Sequence, residues 1–361
     1  MYARGGPMAK RHRPDGSVTR LLAHIEEVVL ATSGEDAFEL VFGLAAARLH
    51  GSRGRREHAL QRVARAHPEL GVAVPRDASP DLLRRVDDLL APSLAEKHLE
   101  ALDALFEALV PRVAKGDKGQ FFTPRSVVEL MVRALAPGPR DVVVDPACGS
   151  GAFLAHAFDH GKSRTFGCDV DARAVRVARL FALAQGRPLD SLVRADGLRE
   201  RLPRATIVLS NPPFAGRADA SGFEVGALVK TPERDVLFLE RALSLLGPGG
   251  RLGIVLPYNK AAGATFARVR RWLAAHAHIV AVVALPKETF LPHTSQRTVI
   301  VFAKKRARVL GTLDADERTM LLVSERAGKA TSGEPVYRPD GTRDDDLDAV
   351  LTTLRPFLRA S

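Results

Sequence analysis

A doubly wound α/β sheet, mostly parallel and preceded by helices, is expected for this 361-residue chain on three grounds. Short β-branched runs alternate with helical stretches from residue 142 onward, the pattern of parallel strands joined by crossover helices. The first of these runs leads into a glycine turn, Asp145-Pro146-Ala147-Cys148-Gly149-Ser150-Gly151, and then a helix. Such a turn lets the backbone come close to a ligand at a strand end. The first third carries apolar residues at helical spacing instead.

In chain order, 1–17 reads as a basic tail (Arg4, Lys10, Arg11, Arg13) without the apolar core of a secretion signal, and is expected to be disordered. Residues 18–115 read as a helical N-terminal domain. Helical faces are formed by Leu21, Leu22, Ile25, Val28 and Val29 in 18–31. Phe38, Val41, Phe42 and Leu44 repeat the pattern in 36–49, and Leu99, Leu102, Leu105, Phe106 and Leu109 in 94–110. An Arg/His-rich stretch, 51–67, and a proline-marked one, 74–80, lie between them. The pattern changes near 115–119, which opens a second domain over 116–306.

Within that domain, strands are expected at 142–145, 165–170, 192–195, 205–209, 252–256, 279–285 and 298–302. Helices are expected at 152–160, at 171–185 with Asp171 as cap, and at 235–246, stopped by Gly247-Pro248-Gly249-Gly250. The last two strands, joined by the loop 286–297, are expected to be antiparallel. The polar stretch 307–361 reads as a C-terminal extension, weakly structured or peripheral.

The composition is that of a globular protein, 46% hydrophobic and 26% charged, with no apolar stretch of membrane-spanning length. Two cysteines make neither a disulfide framework nor a zinc set, so a reducing cytoplasm and no metal are expected. The net charge of +11 favours a polyanionic partner through phosphate contacts. The bland alternative is an arginine-rich coding bias.

The full dinucleotide fingerprint is absent, because Leu154 stands where its third glycine would be. Asp145 at the start of the turn suits a ligand with a cationic amine better than a pyrophosphate. Asp169, at the end of the second strand, is placed to accept from ribose hydroxyls. Its bland reading is a turn residue, with Asp171 as helix cap. Asp196, after the third strand, can accept from the exocyclic amine of an adenine, or simply close a turn. On one sheet edge these groups describe a nucleoside with an amino-acid tail, S-adenosylmethionine. After the fourth strand come Asn211-Pro212-Pro213-Phe214. An amide, two stiff prolines and an aromatic ring suit holding a flat group and polarising its amine. The alternative is a rigid turn with a core phenylalanine.

Three motifs, Gly119-Gln120-Phe121-Phe122-Thr123-Pro124-Arg125, then the glycine turn, then Asn211-Pro212-Pro213-Phe214, make the chain resemble the amino-methylating DNA adenine methylases. Their order is that of the gamma group, and the nearest likeness is to the modification subunit of type I restriction systems. The resemblance covers about 116–304. It implies the class I S-adenosylmethionine-dependent methyltransferase fold, Rossmann-like with an antiparallel terminal strand, and transfer to adenine N6 in DNA. It also implies that Gln120, Phe121, Phe122, Thr123, Pro124 and Arg125 line the methionine carboxylate end of the cofactor, and that Asp145 faces its amine. Gly149, Ser150, Gly151 and Ala152 would wrap the methionine and ribose, Asp169 the ribose and Asp196 the adenine. Ala147, Val170 and Gly197 are further cofactor-binding positions. Asn211 and the Pro212 carbonyl would accept from the target amine, with Pro213 stiffening the turn and Phe214 stacking on the base. The partners implied are double-stranded DNA with a flipped adenine and a separate specificity subunit, since the loop 215–234 leaves no room for a recognition domain. Two other readings stand beside this one: a methylase of release-factor glutamine or of RNA, and a non-catalytic module on the same scaffold. The release-factor enzymes carry tyrosine at the position of Phe214 and lack the Gln-Phe-Phe-Thr-Pro segment.

Overall fold

The computed structural model describes residues 24–25, 27–28, 37–74, 78–94, 123–214 and 216–360. The basic tail, the 94–110 helix beyond Leu94 and most of the 18–31 helix lie outside them, as do Gln120, Phe121 and Phe122.

The N-terminal helices are α1 (Ala37–Leu49), α2 (Arg56–Ala66) and α3 (Pro80–Leu94). α1 is apolar almost all round, and ten of its residues, including Phe38, Phe42 and Leu44, are buried. A helix of that kind belongs inside a core. The next elements are α4 (Arg125–Leu135), β1 (Val142–Asp145), α5 (Ala152–Gly161), β2 (Arg164–Asp169), α6 (Ala172–Ala184), β3 (Leu192–Arg194) and β4 (Ala205–Ser210). Then follow α7 (Arg234–Leu245), β5 (Leu246–Pro257), α8 (Tyr258–Ala262), α9 (Ala267–His276), β6 (Ala277–Ala284), β7 (Thr298–Lys305), β8 (Met320–Val323) and α10 (Leu347–Ala360).

The eight strands form one sheet in the order β3-β2-β1-β4-β5-β7-β6-β8. β1, β2, β3, β4 and β5 pair in parallel, while β7 runs antiparallel to both β5 and β6. The fold expectation therefore holds, including the antiparallel pair. β1 and β4 are adjacent, with β2 and β3 to one side and β5 to the other. Their carboxyl ends flank the point where the winding reverses, which is where such sheets bind ligands.

Alternation along the strands feeds two cores. Val143, Ile207, Leu209, Ile300 and Phe302 pack on one face with α4, α5, α6 and α10. Val144, Val208, Val299 and Val301 pack on the other with α7 and α9. The N-terminal helices join the first face through α6. Arg176 donates to both carboxylate oxygens of Glu39 (2.7 and 2.8 Å) and to the Leu70 and Gly71 carbonyls, and its guanidinium lies over the Phe42 ring at 4.3 Å.

One expectation is corrected here. The stretch after residue 307 supplies the edge strand β8, paired in parallel with β6. It also supplies α10, whose Leu347, Val350, Leu351 and Leu354 are buried in the first core. The apolar positions of α10 recur at helical spacing inside a polar segment, so average polarity hid them. Among the described residues no helix is long and apolar enough to cross a membrane.

Candidate active site

The glycine turn follows from two positive φ angles. Gly149 (φ 52°) has open space where a Cβ would stand, so the turn presents bare backbone outward. Gly151 (φ 81°) is the N-cap of α5, and a Cβ there would come within 2.8 Å of the Ala178 Cβ. Side chains at these two positions fail for different reasons, the first through backbone strain and the second through strain and collision together.

Three aspartates stand at neighbouring strand ends. Asp145 is buried; its Oδ1 accepts from the Ala147 N–H at 3.0 Å and from the Ser210 hydroxyl at 2.7 Å. Burial pushes its pKa up to about 7 against those two bonds. Asp169 accepts from the Gly149 N–H through Oδ2 and the Asp171 N–H through Oδ1, both at 2.9 Å. Burial raises its pKa as well, and the backbone bonds oppose the rise. Asp171 caps α6, accepting from Arg173 and Ala174. Asp196 is exposed and closes its own turn with the Leu198 N–H at 3.0 Å. The turn readings of Asp169 and Asp196 and the cap reading of Asp171 are thus realised in the structure. Ligand roles remain open to them, since a carboxylate has about four lone-pair sites.

The residues around these aspartates fit an adenosine-type ligand. Val170, beside Asp169, is 51% exposed, an apolar surface at a polar sheet edge. Asp196 lies past the next strand, and Gly197 is packed so close that a Cβ would overlap the Pro146 carbonyl. Ala147, Ser150 and Ala152 are half-buried around the turn. Arg125 and Pro124 begin α4, where Arg125 pairs with Glu129 at 2.7 Å. Burial lifts the Cys148 thiol well above its ordinary pKa and the Cys168 thiol to about 12, which suits neither to nucleophilic work.

The end of β4 differs. The Asn211 amide nitrogen donates to the Thr123 hydroxyl at 3.0 Å, joining two motifs that lie 88 residues apart. Its Oδ1 is buried and has no hydrogen-bond partner among the described residues. Phe214 is buried and meets the Phe290 ring edge-on, with centroids 5.7 Å apart at 76°. The sequence gives Phe290 no site role of its own; it opens a stretch, 290–302, that fits a later part of the family pattern, and it lies in the loop between the two strands expected to be antiparallel. An apolar cavity of about 300 Å³ lies elsewhere, under Val282, Leu321 and Val323, and contains none of these groups.

A parallel sheet with a glycine turn after β1, acids after β2 and β3, and an Asn-Pro-Pro-Phe turn after β4 defines a class I S-adenosylmethionine-dependent methyltransferase fold. The chain belongs to the N-6 DNA Methylase family, whose sequence profile it matches over residues 99–334. Among curated relatives it is 28% identical over 246 residues to the type I restriction enzyme EcoEI methylase subunit of Escherichia coli. That alignment covers 62% of this chain and 50% of the relative, so the chain spans about half the relative's length. In structure it is similar to a modification subunit of a putative type I restriction enzyme from Vibrio vulnificus (TM-score 0.63, 19% identity, 95% of this chain and 90% of that one). It is also similar to a putative class I S-adenosylmethionine-dependent methyltransferase from Listeria monocytogenes (TM-score 0.64, 18% identity, 95% and 98%). At such identities these two likenesses speak for the fold.

Proposed function

We propose that this chain transfers a methyl group from S-adenosylmethionine to the N6 amine of adenine in DNA, as the modifying subunit of a larger assembly. The observation that carries the reading is the buried, unpartnered Oδ1 of Asn211 at the carboxyl end of β4. A buried acceptor without a donor costs about 1–3 kcal/mol. Its retention is accounted for if a substrate N–H completes it.

The chemistry follows from the amine. The lone pair of adenine N6 is delocalised into the ring, so the nitrogen is a poor nucleophile. Asn211 Oδ1, with the Pro212 carbonyl as second acceptor, draws the two amine protons and pulls the nitrogen toward tetrahedral geometry. Thr123 holds the amide so that oxygen, not nitrogen, is offered. Pro212 and Pro213 fix φ and hold the acceptors in place before the base arrives. The bound cofactor supplies an electrophilic methyl on sulfonium. Gly149, Ser150 and Gly151 cradle its amino-acid end; Asp169 and Val170 hold its ribose and ring, and Asp196 its exocyclic amine. Asp145 fixes the turn from beneath. Alignment then provides most of the remaining acceleration, and no covalent protein intermediate is required. Phe214 is buried, with Phe290 edge-on to it, so a base stacks on this ring only once it is uncovered.

The relatives are named as subunits of type I restriction enzymes. We therefore assign sequence recognition to a separate specificity chain, and location to the cytoplasm where the DNA is. Tritiated-methyl transfer, offered DNA, RNA and a release factor in parallel, tests the reading. Label recovered as N6-methyladenine in DNA supports it; label confined to protein or RNA rejects it.

A further inference from the structure

The loop that leaves Phe214 and returns to α7 has an uneven charge distribution that the proposed chemistry does not use. Residues 216–234 hold three acids and three bases. Every acid is engaged by a group outside the loop. Asp219 pairs with Arg199 at 3.1 Å, and the same guanidinium donates to the Ser221 and Asp219 carbonyls. Glu224 accepts from the Trp272 indole N–H at 2.7 Å and lies 3.6 Å from the His276 ring. Glu233 is taken by the buried Lys260 at 2.6 Å. None of the bases is so engaged: Arg217, Lys230 and Arg234 have no acidic partner among the described residues.

Nor do these bases hold the loop shut. Its neck is closed by backbone, through an antiparallel bridge between Arg217 and Glu233 and a bond from the Arg234 N–H to the Gly216 carbonyl at 3.1 Å. Arg217, Lys230 and Thr231 are exposed around a cleft of about 370 Å³, which Ala218 and Pro232 complete. The Arg234 guanidinium lies against Gly216 on the same neck. The N-terminus of α7 opens there without a side-chain cap, adding its partial positive charge. Arg217 is three residues beyond Phe214, within about 10 Å of chain reach.

We propose that this neck is a phosphodiester-binding cleft, in which Arg217 and Lys230, backed by Arg234, grip the backbone of the DNA strand that carries the target adenine. The assignment rests on the adenine reading above and adds the site that holds the strand while the base is out of its stack. Arginine and lysine with no internal partner are the residues that phosphate binding requires. Pairing every loop acid elsewhere leaves the cleft's positive field unopposed.

The test uses the full chain and a fluorescent single-stranded oligodeoxyadenylate of about eight nucleotides, read by polarisation across a salt series. Arg217→Gln with Lys230→Gln is expected to weaken binding about tenfold and to flatten the salt slope by about 0.7 for each phosphate no longer neutralised. Arg140→Gln with Arg204→Gln removes equal charge at exposed positions near the amino ends of β1 and β4, and is expected to leave both unchanged. A methylphosphonate strand, with no backbone charge, is expected to bind the wild type and the cleft variant alike. Three results overturn the proposal: unchanged affinity and slope in the cleft variant, an equal loss in the control variant, or no binding of the oligonucleotide by the wild type. Tighter binding of the riboadenylate of equal length moves the cleft to RNA and overturns the DNA assignment. Tritium transfer to DNA is scored separately. Label recovered only in RNA or protein, with cleft binding intact, removes the adenine reading alone; transfer to DNA with an indifferent cleft variant removes the cleft alone.

Discussion

The two halves of the sheet's carboxyl edge handle their polar groups in opposite ways. Beyond β1, β2 and β3, each aspartate carboxylate is already answered by N–H or O–H groups of the protein: Ala147 and Ser210 for Asp145, Gly149 and Asp171 for Asp169, Leu198 for Asp196. Beyond β4, the Asn211 oxygen is buried and unanswered among the described residues. The difference teaches that the cofactor side is built first and bound second, its turn held in shape before any ligand arrives. The substrate side withholds one bond for the substrate to make. Preorganised acceptors of this kind act on the transition state because no reorganisation is needed at the moment of reaction.

The largest effect expected from breaking this contrast is at Asn211. Asn211→Ala should lower single-turnover methyl transfer by about 10³ or more. Cofactor affinity by calorimetry should be unaltered, and the melting temperature should not fall, since an unsatisfied acceptor is removed along with the amide. Next is Asp169→Ala, which strands two backbone donors. Stability in urea should drop by about 1–3 kcal/mol, and cofactor affinity should weaken with it. An Asp169 variant that binds cofactor normally would deny that the turn is held from that side.

Thr123→Val releases the Asn211 amide nitrogen. A drop in kcat of about tenfold is expected, with KM for DNA little changed and activity restored by Thr123→Ser. Equal activity in the valine variant would show that the hydroxyl does not orient the amide.

The smallest effect is a pH dependence. Asp145 and Asp235 both have pKa values pushed up to about 7, first by burial. A raised folded-state pKa on an acid means the native state keeps its proton to higher pH than the unfolded chain. Stability from these groups is therefore full below about pH 4 and is lost as pH rises toward 7, on the order of 1 kcal/mol or more for each. Thermal melts of the ligand-free chain should show this decline, and Asp145→Asn should flatten part of it.

Much of this was legible in the sequence. The alternation of β-branched and helical runs, with glycine and proline marking its stops, placed the strands of the sheet and its antiparallel pair, because buried strands must be apolar at fixed spacing. The acidic strand ends and the Asn-Pro-Pro-Phe turn were legible because few other residue types serve there. Three things were not. β8 and α10 are short apolar patterns within a polar segment. The bond between Asn211 and Thr123 spans 88 residues, and sequence spacing carries no distance at that range. The Phe214–Phe290 pairing depends on where a long loop folds back, which its composition does not specify.

The most direct test of the central claim is a structure of the chain with a cofactor analogue and a DNA strand whose adenine is out of its stack. Asn211 Oδ1 is predicted to lie about 2.7–3.2 Å from the exocyclic nitrogen of that adenine. An Oδ1 answered by another protein group, with the amine beyond hydrogen-bond reach, would contradict the account.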